Sequence, residues 1–127
     1  MEVTNLSAGL LIREILLNSD EVKAITSEVF PVVTYDATLP YVSYRRTSLS
    51  AVANSGNNAD TVVVEVNAWG ERYEDAVALA EAIRSALDGY RGAGHGLVIR
   101  HCYLTDSEEG WEADAFRILM LFTIKIN

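Results

Sequence analysis

One stretch of the sequence has the regular spacing of a helix that is apolar along one side. Acidic Glu74 and Asp75 lie in its first turn and basic Arg84 in its last, where the helix dipole favours them. This pattern predicts a helix over residues 73–87 that packs on another layer of structure. Its apolar positions are Tyr73, Ala76, Val77, Ala80, Ile83 and Leu87.

Four other stretches have the features of β-strands. Residues 61–69 place Val62, Val64 and Val66 on one face, and residues 115–126 alternate in the same way. Residues 39–47 are rich in aromatic and β-branched side chains, and residues 97–105 supply a fourth strand. Because strands that follow one another in the chain pair most easily as antiparallel neighbours, we expect a mainly antiparallel four-stranded sheet.

The beginning of the chain predicts two more helices. The second begins near Ser19, which is followed by two acidic residues. The fold class is therefore predicted to be α+β, in a single domain over residues 1–127 with the element order α-α-β-β-α-β-β, in which the long helix covers one face of the sheet. The first helix spans residues 6–17, with apolar positions at Leu6, Leu10, Leu11, Ile15, Leu16 and Leu17.

Two connections between the predicted elements stand out. Residues 48–60 are mostly small or polar and end in a turn-forming run around Gly56, so we expect a long loop there. Loops of this length without internal structure are usually functional or mobile. Residues 106–112 are rich in acidic side chains and predict a turn between the last two strands.

Composition limits the classes of function. The chain has 127 residues, 50% of them hydrophobic, which matches a globular domain. Its net charge of -8 argues against binding nucleic acid or acidic membranes through phosphate neutralisation. The first residues lack the layout of a signal peptide, and no apolar run is long enough to span a bilayer. We expect a soluble protein made in the cytosol.

Only one pair of adjacent residues has potentially nucleophilic chemistry. His101 and Cys102 are neighbours on a predicted strand, so their side chains point to opposite faces and do not share a proton or a metal ion. Cys102 is also the single cysteine, which excludes an intramolecular disulfide. His95 lies between glycines and is expected to be a solvated loop residue.

The remaining candidates for chemistry have simpler interpretations. The glycines at 89, 92, 94 and 96 are not followed by the Gly-Lys-Ser/Thr of a phosphate-binding loop. The last group of acidic residues does not have EF-hand spacing and is expected to be solvated. We therefore predict no catalytic residue, no cofactor-binding residue and no metal site, and hence no enzyme. Those acidic residues are Asp106, Glu108, Glu109, Glu112 and Asp114.

Interface residues are predicted instead. Arg45 and Arg46 are adjacent cations on a strand, and one of them is expected to reach a carboxylate or a neighbouring subunit. Trp111 lies in the acidic segment, and tryptophan is enriched in interface hot spots. The alternative for Trp111 is a side chain folded over the end of the sheet. The complete predicted set is Arg45, Arg46, Leu49, Val52, Asn54, Asn57, Asn58 and Trp111.

Several of these segments, taken in order, resemble the tail-completion family of tailed phages and prophages, which is similar to tail terminators. The resemblance spans nearly the whole chain, and its most specific part is the helix from Tyr73 to Leu87 with the following residues to Gly92. The earlier matching segments are Leu16-Leu17, Val29-Phe30-Pro31, Leu39-Pro40-Tyr41-Val42-Ser43-Tyr44 and residues 63–69.

The resemblance implies a structural, non-enzymatic subunit at the head-proximal end of a phage tail. Its implied partners are the tail tube protein and a head connector or head-completion protein. Copies are implied to form a hexamer-like ring, assembled in the bacterial host cytoplasm and retained in the virion tail. No cofactor, membrane contact or sequence-specific nucleic-acid binding is implied.

The sequence leaves other functions open. A monomeric module that binds a small ligand or a protein partner would have a deep apolar pocket with convergent polar groups. A small hydrolase would need a cluster of His, Cys or carboxylate groups that the spacing does not show. Capsid, portal or tail-tube genes beside this one would favour the tail subunit.

Overall fold

Six strands build a mixed sheet, and three helices pack on one of its faces. The computed structural model describes residues 3–32, 36–51 and 60–127. The strand order across the sheet is β1-β2-β3-β6-β5-β4. The strands are β1 (Val29–Pro31), β2 (Tyr41–Ala51), β3 (Asp60–Gly70), β4 (Gly92–Gly94), β5 (Leu97–Glu112) and β6 (Ala115–Ile126). The helices are α1 (Ala8–Asn18), α2 (Asp20–Lys23) and α3 (Tyr73–Leu87), with a 3-10 turn at Asn5–Ser7 before α1.

The antiparallel pair of β3 and β6 forms the centre of the sheet. Val64 lies opposite Phe122, and Val66 lies opposite Met120. These four side chains point towards the helices and are at most 3% exposed. We call this side of the sheet the helix face and the other side the open face. The alternation that predicted both strands therefore also identifies the buried face.

The helix predicted over residues 73–87 is α3, with the same bounds. Its buried positions are mostly leucine, isoleucine and alanine, and the small alanines let the helix lie close to the sheet. Leu79, Ile83 and Leu87 are fully buried in this contact. The burial of these apolar side chains is the main stabilising contribution of α3.

Helix α1 is rotated relative to the predicted stripe. Its buried residues are Ala8, Leu11, Ile12 and Leu16, whereas Leu6 and Leu10 are more than half exposed. The buried residues are spaced by three and four positions and so form one side of the helix, which leaves Leu10 on the other side, while Leu6 lies in the 3-10 turn before it. The second predicted helix is α2, where the Ser19 hydroxyl accepts a hydrogen bond from the backbone N–H of Val22.

The predicted fold class, an α+β domain with a four-stranded antiparallel sheet and one long helix, is wrong. The structure is mostly β, because β1 and β4 extend the sheet to six strands and β2, β3 and β5 are longer than predicted. Strand β1 pairs in parallel with β2, and β4 pairs antiparallel with β5. Each has only three residues, and they contain Pro31 or glycine, so no alternation marks them in the sequence. Hydrogen bonds to the neighbouring strand hold them extended.

The acidic turn predicted at residues 106–112 is also wrong, because β5 continues through it to Glu112. The turn consists of Ala113 and Asp114, whose φ angles are 53° and 60°. Both values lie in the left-handed region, as a two-residue hairpin turn of the primed type requires. Pairing with β6 makes the acidic segment a strand, although its own side chains are all exposed.

The loop predicted at residues 48–60 is shorter than expected at both ends. Strand β2 continues to Ala51, and β3 begins at Asp60. Residues 52–59 lie outside the described residues. None of the helices in residues 3–32, 36–51 and 60–127 combines the length and the apolar character that crossing a bilayer requires.

Two glycines provide a matched test of the packing between β3 and α3. A Cβ added at buried Gly70 would lie 2.5 Å from the backbone nitrogen of Ala76, whereas one added at Gly110 would have no neighbour within 4 Å. We expect Gly70→Ala to lower the free energy of unfolding by about 1–3 kcal/mol, because the helix start must move. Gly110→Ala should change it by less than about 0.5 kcal/mol. Urea unfolding of both variants measures the difference, and equal effects would contradict this packing.

Candidate protein interface

The end of the β5–β6 hairpin carries a group of three aromatic side chains. Trp111 packs edge-on against Phe116, with ring centroids 4.8 Å apart, and Phe116 packs edge-on against Tyr73 at 5.9 Å. Tyr73 opens α3 and donates a hydrogen bond from its hydroxyl to Glu109. Trp111 remains 58% exposed. It therefore combines a rigid support with a large free apolar surface, the arrangement found in interface hot spots.

The outer edge of β5 is covered along only part of its length. Strand β4 pairs with Leu97, Val98 and Ile99. Next, the backbone N–H of Gly89 donates to the Cys102 carbonyl at 2.6 Å, and Asp88 accepts from the N–H of Leu104 at 3.0 Å. Beyond Leu104, no strand in the described part of the chain pairs with this edge. We call residues 106–112 the β5 edge segment.

The ladder shows which backbone groups of the β5 edge segment point outward. A register shift follows Leu104, and the pair of Glu112 and Ala115 closes the two-residue turn. The outward positions are therefore Ser107, Glu109 and Trp111. The N–H of Ser107 donates to the Asp106 carboxylate at 2.9 Å. No described residue hydrogen-bonds to the outward backbone groups of Glu109 and Trp111, as is usual on edge strands.

Strand β2 has a similar uncovered part at the opposite edge of the sheet. Strand β1 pairs with Val42, Ser43 and Tyr44, and the N–H of Val32 donates to the Tyr44 carbonyl at 2.7 Å. Within the described ranges, no strand pairs with the outer side of residues 46–51. We call these residues the β2 edge segment. It lies at the end of the sheet away from the hairpin turn, so the two edge segments occupy diagonally opposite corners.

The β2 edge segment contains two of the predicted interface residues. Arg46 lies opposite Val64 and Leu49 opposite Val62, so both side chains are on the helix face. Leu49 is partly buried against the core, and Arg46 is exposed. Arg46 is thus a cation beside a backbone edge with which no described strand pairs.

Arg45 points to the open face, opposite to Arg46, and interacts within the chain. Its guanidinium lies 3.4 Å from the carboxylate of Glu65, which is only 12% exposed. Burial raises the pKa of Glu65, but hydrogen bonds from Asn67 and Arg45 and the charges of Arg45 and Arg117 outweigh it and hold the pKa below its ordinary value. Of the adjacent arginines, Arg45 is therefore the one with a carboxylate partner among the described residues.

The open face also carries a polar network that sequence reasoning missed. Arg117 donates to the Asn67 side chain at 2.8 Å and to Glu112 at 2.9 Å. Asn67 and the Trp69 indole N–H both donate to the Ser43 hydroxyl, at 3.3 and 3.0 Å. Asn67 and Ser43 are buried although they are on the open face. The available signal was that Glu65, Asn67 and Arg117 occur within two strands whose opposite face is almost entirely apolar.

Aromatic rings extend this network across the sheet. Arg117 lies 5.6 Å from the centre of the Trp69 ring, which stacks on Tyr41 at 5.7 Å. Tyr41 in turn meets Phe30 edge-on at 6.0 Å. Because Arg117 also binds Glu112, the network anchors the end of β5 to β3 and, through Trp69, to β2.

Four predicted interface residues cannot be placed. Val52, Asn54, Asn57 and Asn58 lie outside the described residues. The structure brings Arg46 and Leu49 together on the β2 edge segment, and it places Trp111 on the β5 edge segment.

The side chains considered for chemistry are dispersed. Cys102 is buried, and burial, followed by the charge of Asp88, raises the pKa of its thiol to about 12, while His101 is exposed. Such a thiol stays protonated at neutral pH and is a poor nucleophile. His95 contacts Glu14 of α1. Among the described residues, His, Cys, Asp and Glu side chains form no cluster suited to a metal ion.

One surface cavity bears on the ligand-binding alternative. It has a volume of about 330 Å³ and lies between α1, the end of α3 and β4, at the lower end of the range for ligand pockets. Its polar side chains include Glu14 and Asn18, which are exposed. This cavity therefore lacks the buried, convergent polar groups that the ligand-binding alternative requires.

The lowered pKa of Glu65 makes a prediction about stability and pH. A carboxyl whose pKa is lower in the folded state stabilises the fold above its ordinary value of 4.5, and this contribution is lost as the pH falls through the folded pKa. Glu65→Gln should therefore be less stable than the wild type at about pH 7, and the difference should shrink at about pH 3. Urea midpoints at both pH values measure it. A difference that stays constant would contradict the role of the ionised carboxylate.

Comparisons with known proteins bear on the fold and the family. A solved structure from the virion of a native gene transfer agent particle superposes with a TM-score of 0.79 at 15% identity, covering 91% of this chain and 90% of that one. A second solved protein, whose name describes no activity, superposes with a TM-score of 0.64 at 16% identity, covering 94% of this chain and 95% of that one. Identities this low show a shared fold alone. Among curated proteins, none matches the sequence. The sequence profile of the family described as "Tail completion protein gp17" matches residues 11–127, which confirms the predicted resemblance.

Proposed function

Because the chain belongs to the tail completion protein gp17 family, we propose that this structural phage tail protein caps the tail tube and joins it to the head connector. The family match over residues 11–127 is the observation that carries the proposal. The partners are then the tail tube protein on one side and a connector or head-completion protein on the other. Assembly takes place in the host cytoplasm, and the protein remains in the virion tail.

We propose that the assembled form is a ring of identical copies. A ring requires each copy to present two different surfaces, one to each neighbour, so that the contact repeats until it closes. The β5 and β2 edge segments are two such surfaces, because they differ in sequence and lie at opposite edges of the sheet. This arrangement supports a head-to-tail contact between copies.

We propose a non-enzymatic role in which the functional surfaces are interfaces. The buried Cys102 thiol and the exposed His101 ring do not form a nucleophile and base pair, since they are on opposite faces of β5. The net charge of -8 disfavours retention of DNA by phosphate neutralisation, which suits a passage that DNA must cross without sticking.

Electron microscopy of tails assembled with and without this protein tests the proposal. Without the protein, we expect tubes of uncontrolled length or tails that lack heads. Supplying the wild-type gene in trans should restore tails of uniform length with heads attached. Normal, head-bearing tails in the absence of the protein would reject the capping and joining role.

The exposed indole at the hairpin end gives a second prediction. Trp111→Ala should lower incorporation into tails by about tenfold, because it removes a large exposed apolar side chain on a rigid support. The purified variant should stay folded, with a stability change of about 1 kcal/mol or less. Counting copies per tail by quantitative immunoblot measures incorporation.

Tyr103→Ala is a matched control for that experiment. Tyr103 is 42% exposed on the same strand, but it points to the open face and precedes the β5 edge segment. The Tyr103→Ala variant should be incorporated into tails like the wild type. Equal incorporation of Trp111→Ala and wild type would show that the indole takes no part in assembly.

A further inference from the structure

The two uncovered edges of the sheet differ in charge as well as in sequence. We propose that the β5 edge segment of one copy pairs, as an antiparallel strand, with the β2 edge segment of the next copy, so that one sheet continues from subunit to subunit. This inference rests on the proposed ring and specifies the contact that builds it. The occupant of each edge is a second copy of this chain.

The backbone supplies the first argument. Glu109 and Trp111 present outward N–H and C=O groups on β5, and the ladder leaves Arg46 and Leu49 outward on β2. Each of these edges is a template for one further strand. Elsewhere along the outer edges of β5 and β2, the described residues provide cover through β4, Asp88, Gly89 and β1. Among the described residues, nothing occupies the remaining parts of these two edges, so strand addition is possible there.

Strand direction supports the same contact. Within one copy, β2 and β5 run in opposite directions, because β2, β3, β6 and β5 are antiparallel in succession. Copies related by a rotation about an axis along the strands therefore present these edges to each other in antiparallel sense. Within one copy, the cross-strand pairs from β5 through β6 and β3 to β2 place Glu109 at the same height along the strands as Val42, and not as Arg46. Neighbours must be staggered along the strands by several residues, as in closed sheets with tilted strands.

The charges of the two edges are complementary. The β5 edge segment has four acidic side chains among its seven residues, Asp106, Glu108, Glu109 and Glu112. The β2 edge segment begins with exposed Arg46. Pairing two β5 edge segments would bring like charges together. The acidic residues therefore disfavour contact between two β5 edges and favour contact between a β5 edge and a β2 edge.

Side-chain direction sharpens this match. Glu109 lies opposite Ile118 and Trp111 opposite Phe116, on the helix face. Arg46 and Leu49 are on the helix face of β2. When the sheet continues between copies, these side chains share one face. The uncovered lengths coincide when Trp111 lies opposite Arg46 and Glu109 lies opposite Leu49. The Arg46 guanidinium then meets the Trp111 ring and reaches the diagonal Glu109 carboxylate. Three of the predicted interface residues, Arg46, Leu49 and Trp111, then form a single contact.

Charge exchange between Arg46 and Glu109 tests this contact in assembled tails. Arg46→Glu and Glu109→Arg, each expressed as the sole copy, should lower incorporation into tails by about tenfold, because each juxtaposes like charges at every subunit contact. The double variant, with both exchanges, should recover most of the wild-type level, since opposite charges again face each other. Failure of the double variant to exceed the single variants would overturn the inference.

A second variant separates charge from local structure. Glu109→Arg also removes the acceptor for the Tyr73 hydroxyl. Tyr73→Phe loses that hydrogen bond without changing either edge, and should be incorporated like the wild type. The melting temperature of each purified variant shows that the chain is folded.

Cysteine pairs give a direct readout of proximity. Leu49→Cys and Glu109→Cys place one thiol on each of the two strands that face each other between copies. Within one copy these strands are separated by β3 and β6, so an intramolecular disulfide is excluded by distance. Oxidised tails containing the doubly substituted chain should give a covalent ladder of copies, and tails with either single substitution should give none. A ladder absent from the double variant would overturn strand pairing.

These results are separable from the proposed function. Deletion of the protein tests tail capping and joining, whereas charge exchange and cross-linking test how copies contact each other. If deletion gives abnormal tails but the double charge exchange does not restore incorporation and oxidation gives no covalent ladder, the edge contact is rejected and the proposed function stands. Normal tails on deletion would reject the proposed function, whatever the cross-links show.

Discussion

The apolar ladder between β3 and β6 is the interaction on which the rest of the structure depends. Val64, Val66 and Phe122 exclude water from the helix face, and α3 covers them with its own apolar side. Burying this surface is the main favourable contribution to folding. It also fixes β6 in place, so the other edge of β6 needs a partner for its backbone groups. Strand β5 supplies that partner as far as the turn.

This dependence explains the hairpin end. Residues 106–112 have no buried side chain, yet they form a strand, because β6 supplies hydrogen bonds along its whole length. A strand held in this way by one neighbour leaves its other edge free. The acidic side chains keep that edge soluble and restrict the partners that it accepts.

The open face shows how the sheet is ordered where no described helix covers it. Asn67 and Ser43 are buried under the rings of Trp69 and Tyr41 and the guanidinium of Arg117, and their polar groups are hydrogen-bonded. Because an unpaired buried amide is costly, this network favours one register of β2, β3 and β6. It also connects Glu112 to the centre of the sheet. The free edge of β5 is thus held by a rigid support.

The sequence by itself determined the two central strands and the long helix, because their periodicities of two and of three to four residues report the buried face directly. It also indicated the family through the order of these segments. Only the tertiary structure decided that β1 and β4 are strands, that residues 106–112 are extended, and that Arg45 is the arginine that binds Glu65. The physical reason is that these features depend on hydrogen bonds and charges from residues distant in the chain, which leave no local pattern.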